Sequence, residues 1–378
     1  MPHPAATTTH ALPNGGRITL DPRPQAASVA VVLHLAGGTR EETAVDAGHL
    51  HTLEHLLLRR TARADSSVLA RRITALGGMV NAETGREHLA LIGRAPAAQA
   101  SALAELLVEC LCEPAFDETD LALELGVIEA ERTFVGHTPP HEALIRLAWP
   151  QHPLGRLLLP TDPAPASPAA LQRLWARQCV GTRLGVAVVG AFDVAAMEAA
   201  LAPLAKLPAG TAPDWGAPPE FVPGRYGDLR EEQPASLLWA LPCTPYDRAD
   251  TVGWELTAAV LEFTLAAALR DTGLAYACAV WPEFYSDAGL IAVQVSTVPG
   301  RAIACADAVN ACLDTLAKED PTPEMTNIAR DALSARAALA WDHLEDRARE
   351  LTQRPPGINP AGGRIVLPAA GCVLQIVA

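Results

Sequence analysis

A chain of 378 residues can form two or three domains, each burying its own core, which excludes a peptide hormone or a disulfide mini-protein. With 49% hydrophobic and 19% charged residues it is too apolar and too poor in charge for a disordered polymer. The formal charge of −14, from 29 basic and 43 acidic residues without a Lys/Arg run, argues against a nucleic-acid ligand.

The opening residues Met1 to Thr7 lack the basic and apolar regions of a secretory signal, and no window holds eighteen uninterrupted apolar residues. A soluble, cytoplasmic protein with no membrane span is therefore expected. The eight cysteines form no CxxC pair, and several sit among Ala, Val and Leu, as reduced and buried thiols would.

In chain order, Arg17–Gly37 alternates in short β-branched runs and predicts two strands around the Pro-rich segment 22–24. Residues 46–60 switch to helical periodicity, with Leu50, Leu53, Leu57 and Leu58 on one stripe and Asp46 placed to cap the start. A helix over 66–76 ends at Gly77-Gly78 and leads into a hairpin of Met79–Thr84 and His88–Gly93. Helices follow over 96–112, 117–134, 141–148 and 168–178, then a strand over 182–190 and a helix over 193–205. Residues 207–234 are rich in Pro, Gly and charge and read as a linker.

The second unit is predicted as strand 236–241, helix 249–270, strands 275–283 and 289–297, and helices 301–317 and 322–351. This order of elements repeats that of the first unit, although few residues align. The reading gives an N-terminal domain over 1–206, a linker over 207–234, a related domain over 235–353 and a Pro/Gly-rich tail over 354–378. Trp239, Trp254 and Trp281 read as core residues.

Chemistry concentrates at His51-Thr52-Leu53-Glu54-His55. On a helix the two histidines, at i and i+4, share a face and can reach one ion, with Glu54 beside them as a base. The word is the inverse of the His-Glu-x-x-His of many zinc peptidases. Hydrolytic zinc usually takes three protein ligands and leaves the fourth position to water. The third candidate is Glu131, seven residues after Glu124 on one face of a helix, with Glu129 as the solvent-facing alternative. Glu124 would then orient a histidine. His49 points off a different face and reads as a packing or surface residue, while His88, His137, His141 and His152 could line a chamber or decorate loops.

These words resemble the inverzincin zinc peptidases of the M16 type, which include pitrilysin, insulin-degrading enzyme and the mitochondrial processing peptidase. Gly48 to His55 matches the Gly-x-x-His-x-x-Glu-His word, Gly38-Thr39-Arg40-Glu41-Glu42 its preceding turn, and Leu12-Pro13-Asn14-Gly15 its start. Asn81-Ala82-Glu83-Thr84 is similar to a strand that pairs with the substrate backbone. Leu269 to Tyr276 resembles the Leu-Arg…Gly-Leu-Ala-Tyr segment, one residue shorter between Arg270 and Gly273 than the common form.

The resemblance implies an α+β fold of two similar α/β-roll domains, mainly antiparallel sheet packed with helices, forming one half of a clamshell. It implies one zinc per chain on His51, His55 and Glu131, with Glu54 as general base and Glu124 as supporting acid. Asn81 and Ala82 would bind the substrate strand, and Arg270 and Tyr276 would contact substrate from the second domain. The implied activity is hydrolysis of small or unfolded peptides, with a leader or processing peptidase as one form. A chain of this length needs a second half-shell, and the short tail favours a related subunit over another copy. The alternative is a non-catalytic or structural subunit, which would typically have lost the zinc word.

Overall fold

The computed structural model describes residues 7–135, 139–227, 235–246, 250–353 and 374–377. It has a mixed α/β fold whose helices and strands pack as two units, one of residues up to 135, 158–214 and 340–353, the other of residues 139–157, 215–339 and the last strand.

Unit 1 is built on a six-stranded sheet in the order β1-β2-β6-β3-β5-β4, formed by Thr8–Ala11, Arg17–Pro22, Ser28–Ala36, Met79–Thr84, His88–Pro96 and Leu184–Gly190 as β1 to β6 in chain order apart from intervening helices. All pairings are antiparallel except β2 with β6. Alternation decides the faces: Val29, Val31, Leu33, Leu89 and Leu91 point into the larger core. Helices α1 (His49–Leu57), α3 (Ala100–Cys112), α6 (Pro168–Gln178) and α7 (Val194–Leu201) cover that core with Leu50, Leu53, Leu103, Leu107, Leu171, Leu174 and Met197.

Unit 2 has a five-stranded sheet, β7-β11-β8-β10-β9, from β7 (Gly224–Gly227), β8 (Ala235–Cys243), β9 (Ala277–Phe284), β10 (Gly289–Thr297) and β11 (Leu374–Val377). Its order repeats β2-β6-β3-β5-β4 of unit 1, again with the parallel pairing confined to the two strands at one side. The duplication suggested by element order is thus present in strand order and direction. Helix α8 (Thr251–Asp271) is long and apolar enough by length and composition to cross a bilayer. Its Trp254, Leu256, Val260, Leu261, Leu265 and Leu269 are instead buried in the core of unit 2, with α9 (Ala302–Leu316) packed beside it. Trp239 and Trp254 are buried there, and their indole N–H groups donate to Asn310 and Thr244 at 3.0 and 2.8 Å.

The domain boundaries read from the sequence, 1–206 and 235–353, differ from the packing in two places. Helix α5 (Pro140–Ala148) lies early in the chain but buries Leu144, Ile145 and Ala148 on Leu238, Ala240 and Ala292 of the second sheet. The expected single helix over 322–351 is two, α10 (Pro323–Asp342) and α11 (Leu344–Gln353). Helix α11 lays Leu344, Ala348 and Leu351, at i, i+4 and i+7, on Ala30, Val32, Ile92 and Val189 of the first sheet. At the break, Trp341 stacks against the guanidinium groups of Arg23 and Arg347, 4.5 and 4.4 Å from the ring centre. Each sheet therefore has its outer face covered by a helix from the opposite half of the sequence.

A carboxylate pins each cover helix. Glu83 on β4 pairs with Arg349 of α11, and Glu283 on β9 pairs with His141 of α5. Glu283 also accepts from Trp281 Nε1 at 2.8 Å and Tyr285 Oη at 2.9 Å. Although burial works against the charged form, these donors hold its carboxyl below the usual range.

None of the seven cysteines among the described residues forms a disulfide, and burial pushes the Cys110 and Cys112 thiols up to about 12 and about 11. Cys372 and His137 lie outside the described residues.

Candidate metal centre

Helix α1 carries three of the candidate groups and α4 (Glu118–Val135) carries two. Burial of Leu50, Leu53, Leu56 and Leu57 fixes the rotation of α1, which leaves His51, Glu54 and His55 on its partly exposed side toward α4. Helix α4 buries Leu121, Glu124 and Ile128, one turn apart, and this presents Glu131 beside them.

His51 Nε2 and His55 Nε2 lie 3.3 and 3.4 Å from the same atom, Glu131 Oε2. The ring centroids are 4.8 Å apart. Among the described residues this is the group of His, Cys, Asp or Glu whose ligand atoms converge, all within 4.8 Å of one another. Tetrahedral ligands at about 2.0–2.1 Å from a zinc ion would stand about 3.3–3.4 Å apart, so the donor set and its spacing fit that ion. Glu129 points away and pairs with Arg132 at 3.0 Å, its side chain 62% exposed, which separates it from Glu131.

The remaining contacts orient the group. His55 Nδ1 faces Glu124 Oε2 at 3.1 Å, so this carboxylate fixes the ring with Nε2 toward Glu131. Arg59 holds the other oxygen of Glu124 at 3.1 Å and lies 3.5 Å from Asp120, which also accepts from Arg60 at 2.6 Å. His51 Nδ1 is 3.6 Å from Glu54 Oε2. Burial alone would pull the His51 imidazole down, but the Glu54 and Glu131 carboxylates outweigh it and hold its pKa above the ordinary histidine value.

The start of α1 departs from the sequence reading. Asp46 does not cap it: its carboxylate accepts from the backbone N–H and hydroxyl of Thr43 and from Arg177 at 3.0 Å. The N-cap position is Gly48, at φ +84°, where a Cβ would meet Pro160 Cγ at 3.0 Å. The cap comes from Glu42, whose two oxygens accept from Gly48 N–H at 3.0 Å and Leu50 N–H at 2.7 Å. His49 is buried, with Nε2 3.2 Å from the Pro165 carbonyl.

Asn81 and Ala82 lie on β4, the edge of the sheet, whose outer side has no strand partner among the described residues. Ala82 faces the core beside α1, Asn81 is exposed, and the Thr84 hydroxyl donates to the Leu50 carbonyl at 3.3 Å, tying the strand to the helix. Arg270 and Tyr276 belong to unit 2. Arg270 is in the last turn of α8, and Tyr276, 73% exposed, precedes β9 and donates its backbone N–H to Ser296 O at 3.2 Å. His88 pairs with Glu83 at 3.4 Å and His152 caps the turn at Leu154, and neither belongs to the converging group.

Comparison with known proteins gives the family. The family model described as Insulinase (Peptidase family M16) matches residues 17–162, and that described as Peptidase M16 inactive domain matches residues 166–333. The chain is 27% identical over 361 residues to an uncharacterised zinc protease of Mycobacterium leprae, covering 89% of this chain and 78% of that protein. It is 27% identical over 161 residues to the mitochondrial-processing peptidase subunit alpha of Solanum tuberosum, covering 42% and 32% of the two chains. The crystal structure of a protease from Helicobacter pylori superposes with a TM-score of 0.80 at 17% identity, over 93% of this chain and 90% of that one. With the zinc-peptidase word inside the first matched segment and the duplicated fold spanning both, the chain belongs to the M16 family of peptidases.

Proposed function

We propose that this chain is the catalytic subunit of a zinc-dependent endopeptidase. The observation that carries the reading is the approach of His51 Nε2 and His55 Nε2 to one oxygen of Glu131. These three residues would hold the zinc, Glu124 orienting His55 through Nδ1. Bound zinc would lower the pKa of a coordinated water and polarise the scissile carbonyl. Glu54, one turn from His51 and 22% exposed, takes the proton of the attacking water and returns it to the leaving amine. The peptide is held by backbone pairing along the edge strand β4 at Asn81 and Ala82. Arg270 and Tyr276, of this chain or of the second subunit, supply side-chain contacts to peptide carbonyls or to the developing oxyanion.

The substrate class is small or unfolded peptides, including leader segments, and the working form pairs this chain with a second, related subunit in the cytoplasm. Support for pairing is that one relative is named as the alpha subunit of a processing peptidase. The reading is tested on purified protein with the chain that co-purifies with it. About one zinc per chain is expected, and Glu54→Gln should keep the metal while abolishing cleavage of an unfolded peptide. Cleavage retained in Glu54→Gln would remove the general-base role. A zinc-loaded complex that cuts no peptide would favour the non-catalytic alternative.

A further inference from the structure

We infer that Glu42 is a positioning residue for the metal centre: its carboxylate holds the first turn of α1, and so His51, in register with the substrate strand. The inference rests on the zinc reading above and adds to it a group that neither ligates nor contacts substrate.

Three observations carry it. Glu42 is buried, 5% exposed, yet both its oxygens accept backbone N–H groups of α1, from Gly48 at 3.0 Å and Leu50 at 2.7 Å. The helix has no side-chain cap of its own, because Gly48 stands at the N-cap. Finally, the turn that delivers Glu42 is fixed to the hairpin joining β4 and β5. Thr39 N–H donates to Gly85 O at 3.1 Å, Arg40 N–H to Arg86 O at 2.9 Å, and the Arg40 guanidinium pairs with Glu87 at 2.6 Å.

The physical consequence is a short rigid link. A buried carboxylate taking two N–H groups at a helix start is both well hydrogen-bonded and favoured by the helix dipole. Leu50, whose N–H it holds, immediately precedes His51. On the other side of the turn, residues 85–87 close the hairpin whose first strand carries Asn81 and Ala82. Glu42 thereby sets where His51 stands relative to His55 and Glu131, and where the metal group stands relative to β4.

The test compares zinc affinity, by competition with a chromophoric chelator, for the full-length wild type, Glu42→Gln and Asp65→Ala. A Gln has one carbonyl oxygen and can accept only one strong bond of the pair. Asp65 caps α2 (Ser66–Ala75), which carries no ligand, through Val68 N–H at 2.8 Å. Asp65→Ala should lower the melting temperature and leave zinc affinity within twofold. Glu42→Gln should bind zinc at least tenfold more weakly while its circular dichroism stays that of the wild type. Zinc affinity in Glu42→Gln within twofold of wild type would reduce Glu42 to a structural cap and overturn the inference. Should Glu42→Gln not fold, amide hydrogen exchange of the wild type decides. By reciprocity of coupling, zinc should then slow exchange at Gly48 and Leu50, and unchanged exchange at both would overturn it. A wild-type chain that binds no zinc would remove the metal reading itself, whatever Glu42 does.

Discussion

His55 and Glu124 meet through Nδ1 and Oε2 at 3.1 Å, with the opposite nitrogen of the same ring aimed at Glu131. An imidazole held at one nitrogen by a carboxylate has its other nitrogen fixed in direction and made more basic. Replacing Glu124 by Ala should weaken zinc binding by about 10–100-fold. Arg59, which shares Glu124, would then retain Asp120 at 3.5 Å, so the fold should survive. Chelator competition measures the loss, and a change of less than twofold would make Glu124 only the partner of Arg59.

The two carboxylates at the end of α4 give a sharper contrast. Glu131→Gln should release the metal, measured as a zinc content well below one per chain after dialysis. Glu129→Gln, which breaks only an exposed pair with Arg132, should leave that content unchanged.

Acid should loosen unit 1 through Glu83. Burial works against its charged form, but His88 and Arg349 more than compensate and lower its pKa from 4.5 to about 2. A carboxyl depressed in the folded chain stabilises above its unfolded value, and that stability is lost as pH falls from 4.5 toward about 2. The full shift corresponds to at most about 3 kcal/mol. Glu83→Gln should therefore lower stability at neutral pH and flatten its dependence below pH 4.5, measured by denaturant titration at several pH values. Equal acid slopes for the two proteins would refute this.

Helix α11 docks through small and large apolar side chains, among them Ala348, which is fully buried. Ala348→Leu should destabilise the protein by about 1–3 kcal/mol through overpacking. Ala348→Gly should also destabilise, by about 1 kcal/mol, through the backbone of the helix. Equilibrium unfolding measures both, and a neutral Ala348→Leu would show that α11 can lift from the sheet at little cost.

The metal group was legible because its information is local: His51, Glu54 and His55 lie within a helical turn and a half, and Glu124 and Glu131 within two turns of another. The β4–β5 hairpin was equally readable from alternation after Gly77-Gly78. Capping of α1 was not. Asp46 is the residue that local rules select, whereas Glu42 reaches the same N–H groups only after the turn at Thr39–Glu41 has folded onto residues 85–87. The division of α10 from α11 was hidden for another reason. Leu344-Glu-Asp-Arg-Ala-Arg-Glu-Leu351 is mostly charged, and its apolar stripe of Leu344, Ala348 and Leu351 is too thin to announce a sheet beneath it. Strands β1 and β7 were missed because each is four residues long and reads as polar or glycine-bearing text.

The exchange of cover helices has a bearing on how the chain comes off the ribosome. The first sheet is complete by Gly190, yet Ala30, Val32, Ala90, Ile92, Ala187 and Val189 wait for a helix that begins at Leu344. Until then that apolar surface is open to water, and pairing it late gives the protein a high contact order and slow folding. A fragment cut at the proline-rich stretch after residue 206 would carry the whole metal group and still expose this face. Such a fragment should aggregate unless residues 344–353 are supplied in trans.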